Sequence, residues 1–313
     1  MKAGSGVQKN FMTITLIMKF TACSHMSGRN NVNRGFYMDL KSRLQDFKKN
    51  DDEGNDYEIV MDEMIENIGH PDPELRDQLI YTTFYWWVEK DLLSVNSLRK
   101  LLSVSLDDSH LFYKIGERST DTVFTRSFSS LAAALVLRKD AENQRLPKEL
   151  ILEGIDKSIQ YLQEERDTRG YVQGKGWAHS IAHGADLLAA SIRHPYFPSE
   201  KIAACLEAVK SCCEKEAIYM DDEDERLIFV IEALLQKGLT QQQLMEWVHS
   251  MHDHLKKQFE ETGYSVPFFK KKKNFLDLLK SLYFRLGYSQ KSKEVQKEIS
   301  MVLEQWHKTI YRI

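Results

Sequence analysis

Apolar residues recur along this chain at three- and four-residue spacing, the period of a helix that buries one side. The stretches 38–49 and 57–68 are amphipathic in this sense. In GHPDPELRDQLIYTTFYWWVEKD (69–91), aromatic and aliphatic residues cover most of the circumference, so that helix is predicted to be buried on several sides. Asp72 reads as its N-cap and Pro73 as its first helical residue. The same period predicts helices over 95–107, 121–140, 146–165, 198–217, 221–238, 240–261, 274–288 and 292–313. Thr240 and Gln243 have capping-box spacing. No run alternates as a half-buried strand would. The pattern predicts an all-α fold, an irregular HEAT-like α-solenoid of antiparallel helix pairs, with 70–106 similar to one unit. No strict period repeats along the chain, so the alternative is a compact helical bundle.

Composition sharpens this picture. Only 15 glycines and 6 prolines punctuate 313 residues, which favours long elements joined by short connections. Lys and Arg (43) nearly balance Asp and Glu (46), so net charge argues against nucleic acid or an acidic membrane as partner. The four cysteines have no CxxC spacing and read as reduced thiols, which fits a cytoplasmic protein. In 9–23 a short apolar run is broken by Lys19 and is far too short to span a bilayer. The TAC that follows is the one argument for a lipoprotein leader instead. Arg-Gly just upstream of Met38 can be encoded by a ribosome-site-like stretch. The expected organisation is therefore a disordered or non-native extension over 1–37 and a single helical-repeat domain over 38–313.

The densest chemistry lies in RGYVQGKGWAHSIAHGAD (169–186). A helix beginning near Gly176 places His179, His183 and Asp186 on one face, at i, i+4 and i+7. Ile181, Ala185, Leu188 and Ile192 form an apolar stripe nearly opposite, so the polar face is expected to look into the concave surface. Three readings stay open. In the first, either His179 and His183 grip a divalent metal with Asp186 behind them, or His183 and Asp186 do, and Asp167 or the acidic run 221–225 completes the set. The rise of about 10 Å between His179 and Asp186 keeps one ion from taking all three directly. In the second, helix-start amides near Gly176, with Arg166, Arg169 and Lys175, cradle a phosphate or carboxylate while a histidine moves a proton. In the third, Trp177 wedges a corner and Asp186 pairs with Arg126 or Arg226.

Weaker candidates follow. His249, His252, Asp253 and His254 sit on one helix whose buried positions are Trp247, Val248, Met251 and Leu255. PFFKKKKNF (267–275) reads as a solvated loop with Phe268 and Phe269 packed inward. The acids of DDEDERL (221–227) favour the positive end of a helix dipole. No nucleophile elbow, dinucleotide fingerprint or P-loop is present, so no catalytic residue is assigned.

The block RGYxxGKGWAHxxAHGAD, with DTVFTRSFSSLAAALVLRKD before it and DDEDERL after it, resembles an uncharacterised bacterial helical family known as domain of unknown function 2785. The resemblance spans Tyr57 to Leu286 and implies a helical fold and the position of a site, with no activity to carry over. It singles out Asp167, Arg169, Trp177, His179, His183 and Asp186, beside which Lys175 is a ligand candidate. The functional expectation is a pocket on the concave face that binds a small anionic ligand or a divalent metal. The alternative is a scaffold that binds a protein partner.

Overall fold

The computed structural model describes residues 40–45, 47, 57–289 and 292–312. The candidate start at Met38, the 9–23 run and the 1–37 extension lie outside them. The described residues are mostly helical, as the apolar period requires, with one short hairpin. After the helical residues 40–45 come α1 (Tyr57–Glu66), a π-helical segment (Glu74–Tyr81) running straight into α2 (Thr82–Glu89), α3 (Val95–Ser105), α4 (Thr122–Asn143) and α5 (Lys148–Glu164). A short hairpin of β1 (Tyr171–Val172) and β2 (Gly176–Trp177) precedes α6 (Ser180–Arg193). The chain then forms α7 (Ile202–Cys213), α8 (Glu223–Gln236), α9 (Gln241–Thr262), α10 (Val266–Ser289) and α11 (Lys293–Tyr311).

Local chemistry sets many of these boundaries. Ser94 accepts a hydrogen bond from the Ser97 amide at the start of α3. Thr240 and Gln243 close the expected capping box on α9, so two amides that the helix leaves unpaired find side-chain acceptors. Asp72 works as read: its carboxylate takes the Glu74 amide at 2.9 Å and its carbonyl takes the Arg76 amide at 3.0 Å. The wider winding that follows is π-helical, an irregularity invisible in the period. Asp121 stands at the start of α4 as the period placed it, although Lys175 rather than the helix takes both of its oxygens. PFFKKKKNF is not a loop but the first turns of α10, with Phe268 buried and Phe269 39% exposed.

Packing centres on α6, which touches α4, α5 and α8. Further contacts join α8 to α10, α3 to α4, α5 to α7 and α10 to α11. Neighbours two apart in sequence thus lie side by side. Every residue from Ser180 to Ile192 is buried, so α6 has no solvated face, contrary to the concave-face expectation. Small residues make that possible. A Cβ at Gly184 would lie 2.7 Å from Tyr161 Cε1 and 2.8 Å from Leu162 Cδ2, so glycine sets the distance between α5 and α6. Cys205, Cys212 and Cys213 are free and buried. Among the described residues no helix is long and apolar enough to cross a membrane.

Candidate functional site

The segment between α5 and α6 is held by buried charge. Glu165 ends α5 with its side chain fully buried, and its carboxylate accepts four hydrogen bonds. Two come from Arg126, Nε at 2.6 Å and Nη2 at 2.9 Å, and two from the amides of Arg166 and Asp167, each at 2.8 Å. Asp167, also buried, then accepts the Ser119 amide at 2.8 Å and the Arg169 guanidinium at 2.6–3.1 Å. Arg169 continues to the Thr120 carbonyl at 2.5 Å. This chain of bonds straps 165–169 onto the loop before α4, and it needs charged residues because each buried acceptor must be satisfied.

Beyond it, the hairpin pairs Tyr171 with Trp177 and Val172 with Gly176. The helix that the period placed from Gly176 therefore begins only at Ser180, and the helix-start amides expected near Gly176 are strand amides instead. Gly176 has a φ of +77°, and a Cβ there would lie 2.7 Å from Pro73 Cβ. Behind the hairpin, Arg76 is fully buried with its guanidinium over the rings of Phe124 (4.1 Å) and Phe128 (4.7 Å). It donates to the carbonyls of Lys175 (2.7 Å) and His70 (2.8 Å). Arg76 Nε lies 2.7 Å from Asp77 Oδ1, yet neither atom makes an aligned hydrogen bond. Burial pushes the Asp77 carboxyl up to about 7 even though Arg76 pulls the other way.

The histidines do not share a helix face. His179 precedes α6 in the left-handed region (φ 47°), with its ring stacked on Trp177 at 4.4 Å. Its Nδ1 is buried without a hydrogen bond, 3.9 Å from Glu223 Oε1. His183 is buried against Phe128, and its Nδ1 lies 2.7 Å from Ser127 Oγ. Burial, then the charges of His179, Arg226 and Arg76, hold its pKa well below the ordinary histidine value. Asp186 gives both carboxylate oxygens to Arg226, not to Arg126, which belongs to Glu165. Of the paired readings for Asp186, the Arg226 one holds. The donor set expected for a metal therefore does not fit one. His179 lies outside the helix, Asp186 is spent, and no three His, Cys, Asp or Glu side chains among the described residues are arranged to hold an ion. The distal histidines also diverge: His249 pairs with Glu298, His254 with Glu214, and His252 lies against Trp306.

Open space lies elsewhere. A cavity of about 270 Å³ opens beside the strapped segment, between Arg118–Ser119, 166–169, 214–217 and Lys271. It takes in two of the expected residues, Asp167 and Arg169, and the helix-start candidate Arg166. Lys175, Trp177, His179, His183 and Asp186 do not line it. Arg118, Lys215 and Lys271 are the residues that sequence reasoning missed. They come from three segments far apart in sequence, and the lysine run had been read as solvent-facing. The side chains of Arg118, Arg166 and Lys271 make no hydrogen bond or ion pair among the described residues, although Lys215 donates to the Glu165 carbonyl at 2.8 Å. Burial lowers the pKa of Lys215, and the neighbouring Arg166 and Arg118 charges lower it further, against the opposing pull of Cys212 and Glu165.

No curated protein and no solved structure matches the chain. A family model matches residues 111–284, starting later than the resemblance had suggested and enclosing the hairpin, α6 and every residue that lines the cavity. On that match, which spans more than half of the sequence, the chain belongs to the family described as Protein of unknown function (DUF2785).

Proposed function

We propose that this chain is a single helical-repeat domain, a HEAT-like array of antiparallel helix pairs, that binds a small anionic ligand in the cavity beside the 165–169 strap. One observation carries the reading. Arg118 and Arg166, with Lys271, line the same cavity and make no ion pair among the described residues, and Lys215 is buried next to them. Arg118 and Arg166 are solvent-exposed, yet gathering several like charges around one recess disfavours the folded chain. An anion that enters the recess relieves that repulsion and gains charge-assisted hydrogen bonds. The expected site thus keeps its arginine and aspartate, with Arg169 as a wall held by Asp167, and loses its histidines.

The test is a thermal-unfolding series with inorganic phosphate, sulfate and succinate at constant ionic strength. A ligand at about one hundred times its Kd stabilises the folded chain by about 2.7 kcal/mol. At least one of these anions should raise the melting temperature of the native chain by a few degrees, and Arg118→Gln/Arg166→Gln should abolish the rise. Neither arginine side chain has a partner to lose among the described residues, so the variant is expected to fold. The reading fails if no anion shifts the native chain, or if the double variant responds equally.

A further inference from the structure

The composition of the cavity wall says what kind of anion fits. Five cations and three carboxylates line it, a formal excess of two positive charges. The Asp167–Arg169 pair is internally neutral, and setting it aside leaves the excess unchanged. Two positive charges match a dianion. Arg118 and Arg166 bring planar guanidinium forks, which meet the tetrahedral oxygens of a phosphoryl group in paired hydrogen bonds, while Lys215 and Lys271 act as point charges. The hydroxyls of Ser119 and Thr168, which make no hydrogen bond among the described residues, add neutral donors.

The rest of the ligand is constrained just as firmly. Among the described residues Ala217 is the single apolar one lining the cavity, and no aromatic ring lines it. A nucleobase would find nothing to stack on, and a hydrocarbon body no surface on which to leave water. Two acidic residues, Glu214 and Glu216, line the same space as the cations. Carboxylates repel a phosphoryl group but accept hydrogen bonds from hydroxyls. Glu214 is engaged at 3.1 Å by His254, which leaves the Glu216 carboxylate as the freer acceptor. The volume, about 270 Å³, falls just under the range of about 300–1,000 Å³ typical of drug-sized ligands.

We infer that the ligand is a small phosphorylated polyol, its phosphoryl group held by Arg118 and Arg166 and its hydroxyls read by Glu216. This rests on the anion-binding reading above and narrows it to one class.

Isothermal titration calorimetry on the full chain at pH 8 tests it with four probes: glucose 6-phosphate, methyl phosphate, succinate and glucose. Glucose 6-phosphate should bind roughly tenfold or more tighter than methyl phosphate, because only it offers hydroxyls, and glucose alone should not bind detectably. Succinate, a dianion without a phosphoryl group, should bind more weakly than methyl phosphate. Glu216→Gln should reduce the preference for glucose 6-phosphate over methyl phosphate by roughly threefold or more and leave methyl phosphate binding intact or tighter. Arg118→Gln/Arg166→Gln should remove the binding of both phosphate esters. Succinate binding as tightly as either ester overturns the phosphoryl assignment while the anion reading stands. Equal affinity for the two esters, or an unchanged preference in Glu216→Gln, overturns the polyol assignment alone. Failure of all three anions to bind overturns both readings together.

Discussion

Replacing Glu165 by glutamine tests whether buried charge organises the segment that carries the site. Glutamine keeps the shape and one carbonyl oxygen, which can still accept the Arg166 and Asp167 amides that the carboxylate takes at 2.8 Å. Its amide nitrogen must then face Arg126 Nε, now 2.6 Å from a carboxylate oxygen, so a donor meets a donor and the guanidinium loses its counter-charge. Both side chains are fully buried, and water cannot substitute. Removing one partner of a buried pair costs about 3–5 kcal/mol. Arg126 retains the Thr122 hydroxyl at 2.9 Å and the Tyr113 carbonyl at 3.1 Å, which favours the lower end. At a urea slope of about 3 kcal/mol/M, a loss of about 3 kcal/mol moves the unfolding midpoint down by about 1 M. Adding Arg126→Met to Glu165→Gln removes the stranded charge and should recover part of that loss. A shift of the single variant below about 1 kcal/mol, or a double variant less stable than the single one, would refute the reasoning.

Two further predictions concern the hairpin and α6. Ser127 Oγ contacts both the Ala178 carbonyl and His183 Nδ1, and since a carbonyl can only accept, the single hydroxyl proton goes there and Nδ1 must carry the ring proton. Nitrogen-15 NMR should therefore show His183 neutral and protonated at Nδ1, with its midpoint well below the ordinary 6.5; a midpoint at or above 6.5 contradicts this. With the folded pKa depressed, the unfolded chain takes up the proton first, so the stability this residue confers is complete above about 6.5 and declines as pH falls below it. Gly174 and Gly176 both have positive φ, at +75° and +77°, but only a Cβ at Gly176 meets other atoms. Gly176→Ala should therefore cost about 1–3 kcal/mol more than Gly174→Ala in chemical unfolding. Equal costs would mean that the hairpin does not press on Pro73 and Arg76.

Periodicity determined most of the helices, because a chain that must bury one side of a helix writes that need at every third and fourth position. Caps such as Asp72 and the Thr240–Gln243 box were legible too, since they involve neighbours in sequence. The sequence also drew attention to 166–186, where charged residues and glycines interrupt the helical period, and Asp167, Arg169 and the Asp186–Arg226 pair were within its reach. What it could not determine was direction. His179 and His183 looked like one helix face, and their rings do lie 5.6 Å apart, but the hairpin delays the helix to Ser180 and leaves His179 outside it in the left-handed region. That Lys175 would reach back 54 positions to Asp121 was not legible either. The α6 face looked solvated until α4, α5 and α8 covered it. Arg118, Arg166, Lys215 and Lys271 carry no shared pattern, because a cavity wall is built from whatever segments the packing brings together. Hydrophobic burial acts on each helix through its own sequence, whereas the charge around a recess exists only after distant segments have met.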